Sequence, residues 1–582
     1  MISSLKRLTY YMPGIQILFT LVWLVNLAHT DSYFSIYALI AFASFALQVM
    51  ALREKPDVRS SNGLVYSLSV VFSFLIILAN YSLFTTLGDP ALIGRSTSIL
   101  MNIINSVLTF LGGIFVFHPL LSWFFSYFPR KVSEQQPLLP RFWKPVFLFV
   151  SIFFVHFVHF LLVEYPGNLT EDTFTQISEM VSGKYSNFNT FWHTVLLQSV
   201  YKVGFFLFGE INAAVALVTV LQLLLMVFAF THCLMSMIQY GLPKWMIAVT
   251  YLFFAILPYH MALGITIWKD VLFAGGCLLM ISSWLRIQVR LGAGQLWNYI
   301  VFIAGSLLFI VSRTNGWVIY LVTFLVYLVF VRKNRILSVT MGLLAVLGWF
   351  MLNPALDMLG VEGGDLAESL SVPIQQVSRV IADGGELTEE ETALLSRIMD
   401  LEEVPELYTN WISDPMKVEV RSKDYLYFQE HLGEYAKLWI RLGIRYPGSY
   451  LKAWVDQTKG YWNGGYDYAM YSETITDNPY GVEKSAGGNP VASLFRLYFG
   501  LSRHLIFFEP LHSIGLHVWI FLLCFVMNLR RRRQTWILSV PLLLLLVGLW
   551  FGTPVYCCFR YVYPLFVSFP LIVSTALYQT SK

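Results

Sequence analysis

Apolar runs recur fourteen times along this chain, at roughly 11–29, 33–52, 64–87, 98–127, 143–163, 211–238, 243–261, 268–286, 296–312, 316–331, 336–354, 513–528, 535–551 and 560–578. A run of this kind crosses about 30 Å of hydrocarbon only as a helix, because every backbone polar group must find its partner within the segment. The expected fold is an all-α polytopic membrane protein of about 14 transmembrane helices. Continuous apolar runs exclude the alternating pattern of a membrane β-barrel. Composition agrees: 57% of residues are hydrophobic and 13% charged, unlike an ordinary soluble domain. The net charge of +4 is dispersed over short loops, so it bears on topology, and no nucleic-acid partner is expected. Cys233, Cys277, Cys524, Cys557 and Cys558 fit neither a disulfide framework nor a zinc pattern and are expected to be packing residues. Lys6 and Arg7 precede the first run without a small-residue cleavage site, which indicates a retained helix rather than a signal peptide.

Loop charges give the orientation. If every run is crossed, Lys6/Arg7, Arg53/Lys55/Arg59, Arg130/Lys131/Arg141, Lys244, Arg286/Arg290, Arg332/Lys333/Arg335, Arg530 to Arg533 and Lys582 all fall on one side, the cytoplasmic one by the excess of Lys and Arg. Both termini are then cytoplasmic. The external side receives Asp31, Asp89, the Glu171/Asp172 segment, His260 to Asp270, Arg313 to Gly316, a block from about 355 to 512, and Pro554 to Arg560. The expected organisation is a four-helix module (1–130), a core (143–354) with an external loop (164–210), an external domain (355–512) and C-terminal membrane helices (513–582).

Charged groups at membrane depth cost roughly 2.5–3.5 kcal/mol near a helix centre, so they usually line a cavity or find partners. Lys269, Asp270, Arg313 and Arg560 stand at run ends far apart in sequence and all on the external side. They are expected to wall one outward-opening cavity. A few residues beyond the run 147–163, Thr170 is placed to cap a short helix whose first turn carries Glu171 and Asp172. Adjacent helical residues point about 100° apart, so one of the two carboxylates should enter the cavity. Its place beside the positive helix end favours ionisation. The stretch 194–209 has the length of a helix lying in the membrane interface. In the external block, Thr388 with Glu389 to Glu391 marks a helix start, Tyr425 to Lys459 reads as helical, and Gly464 to Tyr468 and Ser485 to Asn489 read as loops.

Tyr165-Pro-Gly with Asp172-Thr-Phe-Thr-Gln176, Thr266-Ile-Trp-Lys-Asp270, Ser312-Arg-Thr-Asn-Gly316, Val372-Pro-Ile-Gln-Gln-Val-Ser-Arg379 and Phe559-Arg-Tyr561 together resemble a little-characterised bacterial group of GT-C membrane glycosyltransferases. The resemblance runs from about residue 143 to the end and leaves out the first four runs. It implies a GT-C-like bundle, a polyprenyl-phosphate-linked sugar as donor, and a cell-envelope glycan, teichoic-type polymer or glycolipid as acceptor. It further implies inversion at the sugar, the cytoplasmic membrane of a bacterium as location, and an external active site. Where relatives carry a His-Pro pair after Lys184-Tyr-Ser186, this chain reads Asn187-Phe-Asn, and His193 is the nearest imidazole.

Such a transfer needs a carboxylate to take the acceptor proton and cations to receive the leaving phosphate. Asp172 is the expected general base and Glu171 the alternative. Arg313, Arg560 and Lys269 are candidates for the phosphate, and snorkelling span-end residues would look the same in sequence. Asp270 could pair with Lys269, an arginine or a metal, and Gln176 and His193 complete the loop's candidates. Gln376 and Arg379 could close over the acceptor or belong to a solvated helix face. His156, His159 and Glu164 could hold a metal, although two histidines without a third ligand read as core residues; a divalent metal is not an expected cofactor. Asn168-Leu-Thr170 matches a glycosylation sequon by accident in a bacterial context. A flippase of lipid-linked sugars would instead show helix breaks near the midplane and two similar halves. An envelope polymerase or ligase would share the chemistry and use a diphosphate-linked donor. The first four runs could bind a partner protein.

Overall fold

The computed structural model describes residues 13–28, 34–53, 62–85, 99–128, 130–131, 143–290, 294–331, 334–464, 475, 478–484, 489–505, 508–531 and 533–579. Lys6, Arg7, Asp31, Lys55, Arg59, Asp89, Arg141, Arg332, Lys333, Arg532, Lys582 and most of the two loop stretches at 464–468 and 485–489 lie outside them.

Helices α1 (Pro13–Leu27), α2 (Phe34–Arg53), α3 (Asn62–Ala79) and α4 (Ile99–Tyr127) open the chain, with α4 packed against the other three. The membrane core follows as α5 (Trp143–Val163), α6 (Glu171–Ser182), α7 (Phe191–Phe208), α8 (Ile211–Tyr240), α9 (Lys244–Ile256), α10 (Pro258–Gly264), α11 (Lys269–Val289), α12 (Gln295–Val311), α13 (Gly316–Phe330) and α14 (Arg335–Leu352). The 355–512 block contributes α15 (Ser371–Ala382), α16 (Glu389–Leu395), α17 (Leu432–Arg445), α18 (Pro447–Thr458) and α19 (Pro490–His504), with shorter turns between them. Last come α20 (Ile514–Arg530), α21 (Val540–Gly552) and α22 (Phe559–Leu577).

The chain is helical and rich in membrane-length helices. Among the described residues seven helices are long and apolar enough to cross a membrane, and α9 with α10, bent by 51°, makes an eighth candidate. The six other expected runs fold as apolar helices of 15–20 residues, α1, α2, α3, α12, α13 and α20. At about 1.5 Å per residue these helices run from roughly 22 to 30 Å.

Helix α11 is the pillar. Every residue from Asp270 to Ile287 is buried, as an all-round apolar helix must be, and α8, α12 and α22 pack around it. The crossing with α12 is close because glycines face each other. A Cβ on Gly276 would stand 2.8 Å from the Gly305 carbonyl oxygen, and one on Gly305 would stand 2.7 Å from the Met280 nitrogen. One continuous core joins this helix to residues from α5 through α14 and on to α22, so the C-terminal helices share the core of the 143–354 stretch. The first module is attached elsewhere: Trp23, Tyr37, Phe72 and Phe117 share a core with Trp519, Cys524 and Met527 of α20.

Hydrogen bonds separate the two ends of the bundle. At one end Arg531 Nη2 donates to the Phe128 carbonyl (2.8 Å), Gln288 Nε2 to that of Gln534 (3.3 Å), and Arg130–Lys131 pairs in parallel with Tyr578–Gln579. Arginine-bearing loops therefore converge there. At the other end the 355–512 block seats on the turn before α22, through Gln457 Nε2 to Thr553 O (2.8 Å) and Ser413 N to Pro554 O (2.9 Å). That block has its own core, including Ile374, Val380, Leu395, Met399, Leu438 and Leu442. Thr388 and Glu391 form the expected capping box of α16. The expected helix from 425 to 459 is divided at His431 and Tyr446 into three.

All five cysteines are free. His156 and His159 are core residues: His156 Nε2 lies 2.9 Å from the Phe254 carbonyl oxygen, and the His159 ring sits 5.0 Å from those of Phe495 and Phe499. Glu164 turns away to Lys484, so the three do not converge. Asn168 is buried and bridged to Thr266, which leaves the sequon no exposed acceptor.

Candidate functional site

Two backbone segments distant in sequence are stitched together to make the site. Asn168 N donates to Ile265 O and Ile267 N to Asn168 O, each at 2.9 Å, while Thr173 Oγ1 donates to Ile267 O at 2.8 Å. This places the start of α6 against the start of α11. Gly167 is required at the join: its φ is +128°, and a Cβ there would stand 2.2 Å from Thr219 Oγ1. Thr170 caps α6, donating its backbone N–H to Thr173 Oγ1 and accepting from Thr173 N. Asp172 therefore lies in the first turn, where the helix end favours a carboxylate.

Of the two adjacent carboxylates, Glu171 is exposed and Asp172 turns inward. Asp172 Oδ2 accepts from Arg560 Nη1 at 2.5 Å, with side chains 23% and 22% exposed. The Arg560 guanidinium stands 4.8 Å from the Trp268 ring and 5.1 Å from that of Tyr561. A second pair also borders Tyr561: Arg313 lies 5.0 Å from its ring and its Nη1 is 3.2 Å from Asp270 Oδ1. Asp270 thus takes the arginine among its expected partners. Lys269 Nζ donates to Asn189 Oδ1 (2.9 Å) and Phe188 O (3.2 Å). Three cations and two carboxylates leave one positive charge on this cluster.

Behind it, Gln176 Nε2 donates to Thr194 Oγ1 (2.8 Å) and Asn189 O (3.2 Å) and stands 2.9 Å from His193 Nδ1. Thr190, at the start of α7, has φ +61°, a conformation that β-branched residues rarely adopt. Burial disfavours the charged form of Asp172, yet Arg560 and Lys269 outweigh it and hold the carboxyl below its ordinary value. Burial, reinforced by Lys269, pushes His193 down to about 3 against the opposing pull of Asp172. The imidazole is neutral at physiological pH.

Several buried polar atoms here have no hydrogen-bond partner: both carboxylate oxygens of Asp270, Arg313 Nη1, His193 Nε2 and Trp268 Nε1. The Asp270–Arg313 contact is an ion pair by distance without hydrogen-bond alignment. These groups leave hydrogen-bonding capacity beside the ion pairs that a polar ligand can use. Among the described residues no three His, Cys, Asp or Glu side chains gather to hold a metal ion.

Asp172, Arg560, Lys269, Asp270, Arg313, Gln176 and His193 are thus brought to one end of α11. Gln376 and Arg379 are occupied within the 355–512 block. Gln376 accepts from Trp439 Nε1 (2.9 Å) and donates to Tyr450 O (3.4 Å), and Arg379 pairs with Asp383 (2.9 Å) and Asp456 (3.4 Å). Sequence reasoning overlooked Glu179, which accepts from Ser186 Oγ (2.6 Å) and Thr194 Oγ1 (3.4 Å). Its spacing of seven from Asp172, on one helix face, was the available signal. Asn189, Trp268 and Tyr561 carried no signal beyond standing in or beside the motifs.

A family model described as a family of unknown function, DUF6020, matches residues 181–582. The chain belongs to the DUF6020 family. The matched stretch holds Lys269, Asp270, Arg313, Arg560 and His193 and begins just after Asp172 and Gln176. No curated protein and no solved structure matches the chain.

Proposed function

We propose that this DUF6020 protein is a GT-C type glycosyltransferase of the bacterial cytoplasmic membrane. In this proposal a hexosyl or pentosyl group passes from a polyprenyl-phosphate donor to an envelope glycan, teichoic-type polymer or glycolipid. The short apolar helices also cross the bilayer, giving fourteen spans, cytoplasmic termini, an external site and α7 lying in the interface. The observation that carries the proposal is the Asp172–Arg560 pair beside Arg313, Asp270 and Lys269, with five unpartnered polar atoms around it. A carboxylate, three cations and vacant hydrogen-bonding capacity at a membrane-depth helix end suit an anionic lipid phosphate and a hydroxyl acceptor.

In the observed arrangement Arg560 masks the base. A donor phosphate competes for Arg560 and Arg313, and as Arg560 turns to it the Asp172 carboxylate regains basicity. The acceptor oxygen then attacks the anomeric carbon while its proton passes to Asp172. The carbon–oxygen bond to the phosphate breaks, its electron pair staying on the phosphate oxygen, where the arginines balance the charge.

One observation favours transport of lipid-linked sugars instead: the 51° break between α9 and α10, since broken helices line transporter sites. The discriminating experiment measures transfer of radiolabelled sugar from a panel of polyprenyl-phosphate sugars to envelope extracts, wild type beside Asp172→Asn. General-base catalysis contributes about 10²–10⁴-fold, and a loss of that size with donor still bound is expected. Equal turnover in both proteins would remove Asp172 from the role. Absence of transfer from any donor, with lipid-linked sugar still crossing proteoliposomes, would establish the transporter.

A further inference from the structure

At the far end of α11 from Asp172 lies a cavity of about 690 Å³ whose lining includes Trp284, Gln288, Arg290, Tyr299, Asn334 and Arg335. Twenty-one residues of helix separate the two places, about 30 Å at 1.5 Å per residue. The lining contains two arginines and no acidic residue. Among the described residues neither Arg290 nor Arg335 lies within ion-pair distance of a carboxylate.

We propose that this cavity binds the phosphate headgroup of an anionic membrane lipid, independently of the chemistry at Asp172. Four observations point to a ligand of that class. Arg290 and Arg335 are both exposed at the cavity and carry no carboxylate partner among the described residues, so their guanidiniums are open to an incoming anion, and arginine's fork suits phosphate oxygens. The Trp284 side chain is fully buried, yet its Nε1–H has no partner, nor has Gln288 Oε1, whereas Asn334 and Tyr299 already bond each other at 2.9 Å. Arg290 closes α11 with φ +55°, a left-handed cap that glycine adopts with less strain. Strained positions of this kind cluster at ligand sites. Finally, the mouth adjoins apolar surface, where Val329, Phe330 and Ile336 are between 66% and 73% exposed, so an acyl chain can lie along the protein while its headgroup enters.

Helix dipoles do not decide the charge preference. The cavity meets the C-terminal ends of α11 and α13 and the N-terminal ends of α12 and α14, and opposed ends offset one another. The guanidiniums set the sign. Arginine-bearing loops converge at this end of the bundle, and basic pockets between membrane helices on such a face take lipid headgroups.

The test uses the full chain in nanodiscs with photoactivatable phosphatidylglycerol, beside phosphatidylcholine carrying the same chains. Phosphatidylglycerol should crosslink at least tenfold more efficiently, with labelled peptides mapping to 284–299 and 327–337. Arg290→Gly should keep or raise the melting temperature, since glycine relieves the cap, while cutting labelling several-fold. Arg335→Gln, at an exposed backbone position, should act in the same direction, and the double variant should fall to the phosphatidylcholine level. Equal labelling by the two lipids, or unchanged labelling in Arg290→Gly and Arg335→Gln, would overturn the site. Displacement of phosphatidylglycerol by millimolar inorganic phosphate would overturn the lipid assignment in favour of a soluble phosphate.

Discussion

The two ends of α11 handle arginine in opposite ways. At the Lys269 end each guanidinium meets a carboxylate, Arg560 with Asp172 and Arg313 with Asp270. At the Arg290 end the cavity arginines have, among the described residues, no carboxylate within ion-pair distance. A paired arginine can be taken over by an incoming anion only by releasing its carboxylate, so under the proposed glycosyl transfer binding at the first end frees a base. An unpaired arginine releases nothing, so binding at the second end is recognition without chemistry. This difference predicts unequal responses to the same kind of substitution.

The largest effect concerns turnover: Asp172→Asn removes the released base, with the 10²–10⁴-fold loss given above. Stability comes next. Arg560→Gln leaves Asp172 partly buried and unpaired, and melting of the detergent-solubilised protein should report a loss on the order of 2 kcal/mol. Asp172→Asn in the same chain should restore part of it, because the two residues are coupled. Arg290→Gln leaves no carboxylate orphaned and should stay within about 0.5 kcal/mol of wild type. Equal losses at both ends would erase the contrast.

Acid separates the groups at the Asp172 end further. His193 has a folded value of about 3 against 6.5 when free, so the unfolded chain binds the proton first and stability falls as pH drops through that window. Between pH 6.5 and 5 the loss is at most about 2 kcal/mol. His193→Gln should flatten the melting temperature over this range. Asp172 is also depressed, so its contribution is present above its unfolded value near 4 and fades only as pH falls through the folded one. Asp172→Asn should therefore leave the slope between pH 6.5 and 5 intact, and a flattened slope in that variant would mean that the imidazole is not the titrating group.

The contrast between the ends was half legible in sequence. Lys269, Asp270, Arg313 and Arg560 were readable as one cluster because charge at membrane depth is costly wherever it stands, and loop charges assigned all four to one side. The capping pattern at Thr170 similarly revealed which turn would carry Asp172. Pairing was not legible: nothing in sequence sets Arg560 on Asp172 and Arg313 on Asp270, since that depends on how the two guanidiniums pack against Tyr561. Gln376 and Arg379 looked equally available, but the 355–512 block encloses enough apolar surface of its own to bind them internally. The far cavity escaped notice because Arg290 and Arg335 read simply as topology signals, and an unpaired arginine in a loop has no sequence signature.

Backbone strain ties the two ends together and yields the smallest effect. Among the described residues three non-glycine positions have positive φ: Thr190 at +61°, Arg290 at +55° and Cys557 at +59°. Thr190 precedes the helix of His193, Cys557 stands three residues before Arg560, and Arg290 lines the cavity. Strain of this sort, roughly 1 kcal/mol or more per residue, persists where the surroundings over-determine the backbone. Thr190→Gly should therefore stabilise the solubilised protein by about 1 kcal/mol. The Thr190 hydroxyl also reaches the Ser312 carbonyl at 3.4 Å, beside Arg313, so the same variant should loosen the arginine and weaken donor binding several-fold. A more stable protein with unchanged donor binding would show that the strain at Thr190 belongs to chain geometry alone, and would leave the strained Arg290 as the position at which conformation and ligand recognition coincide.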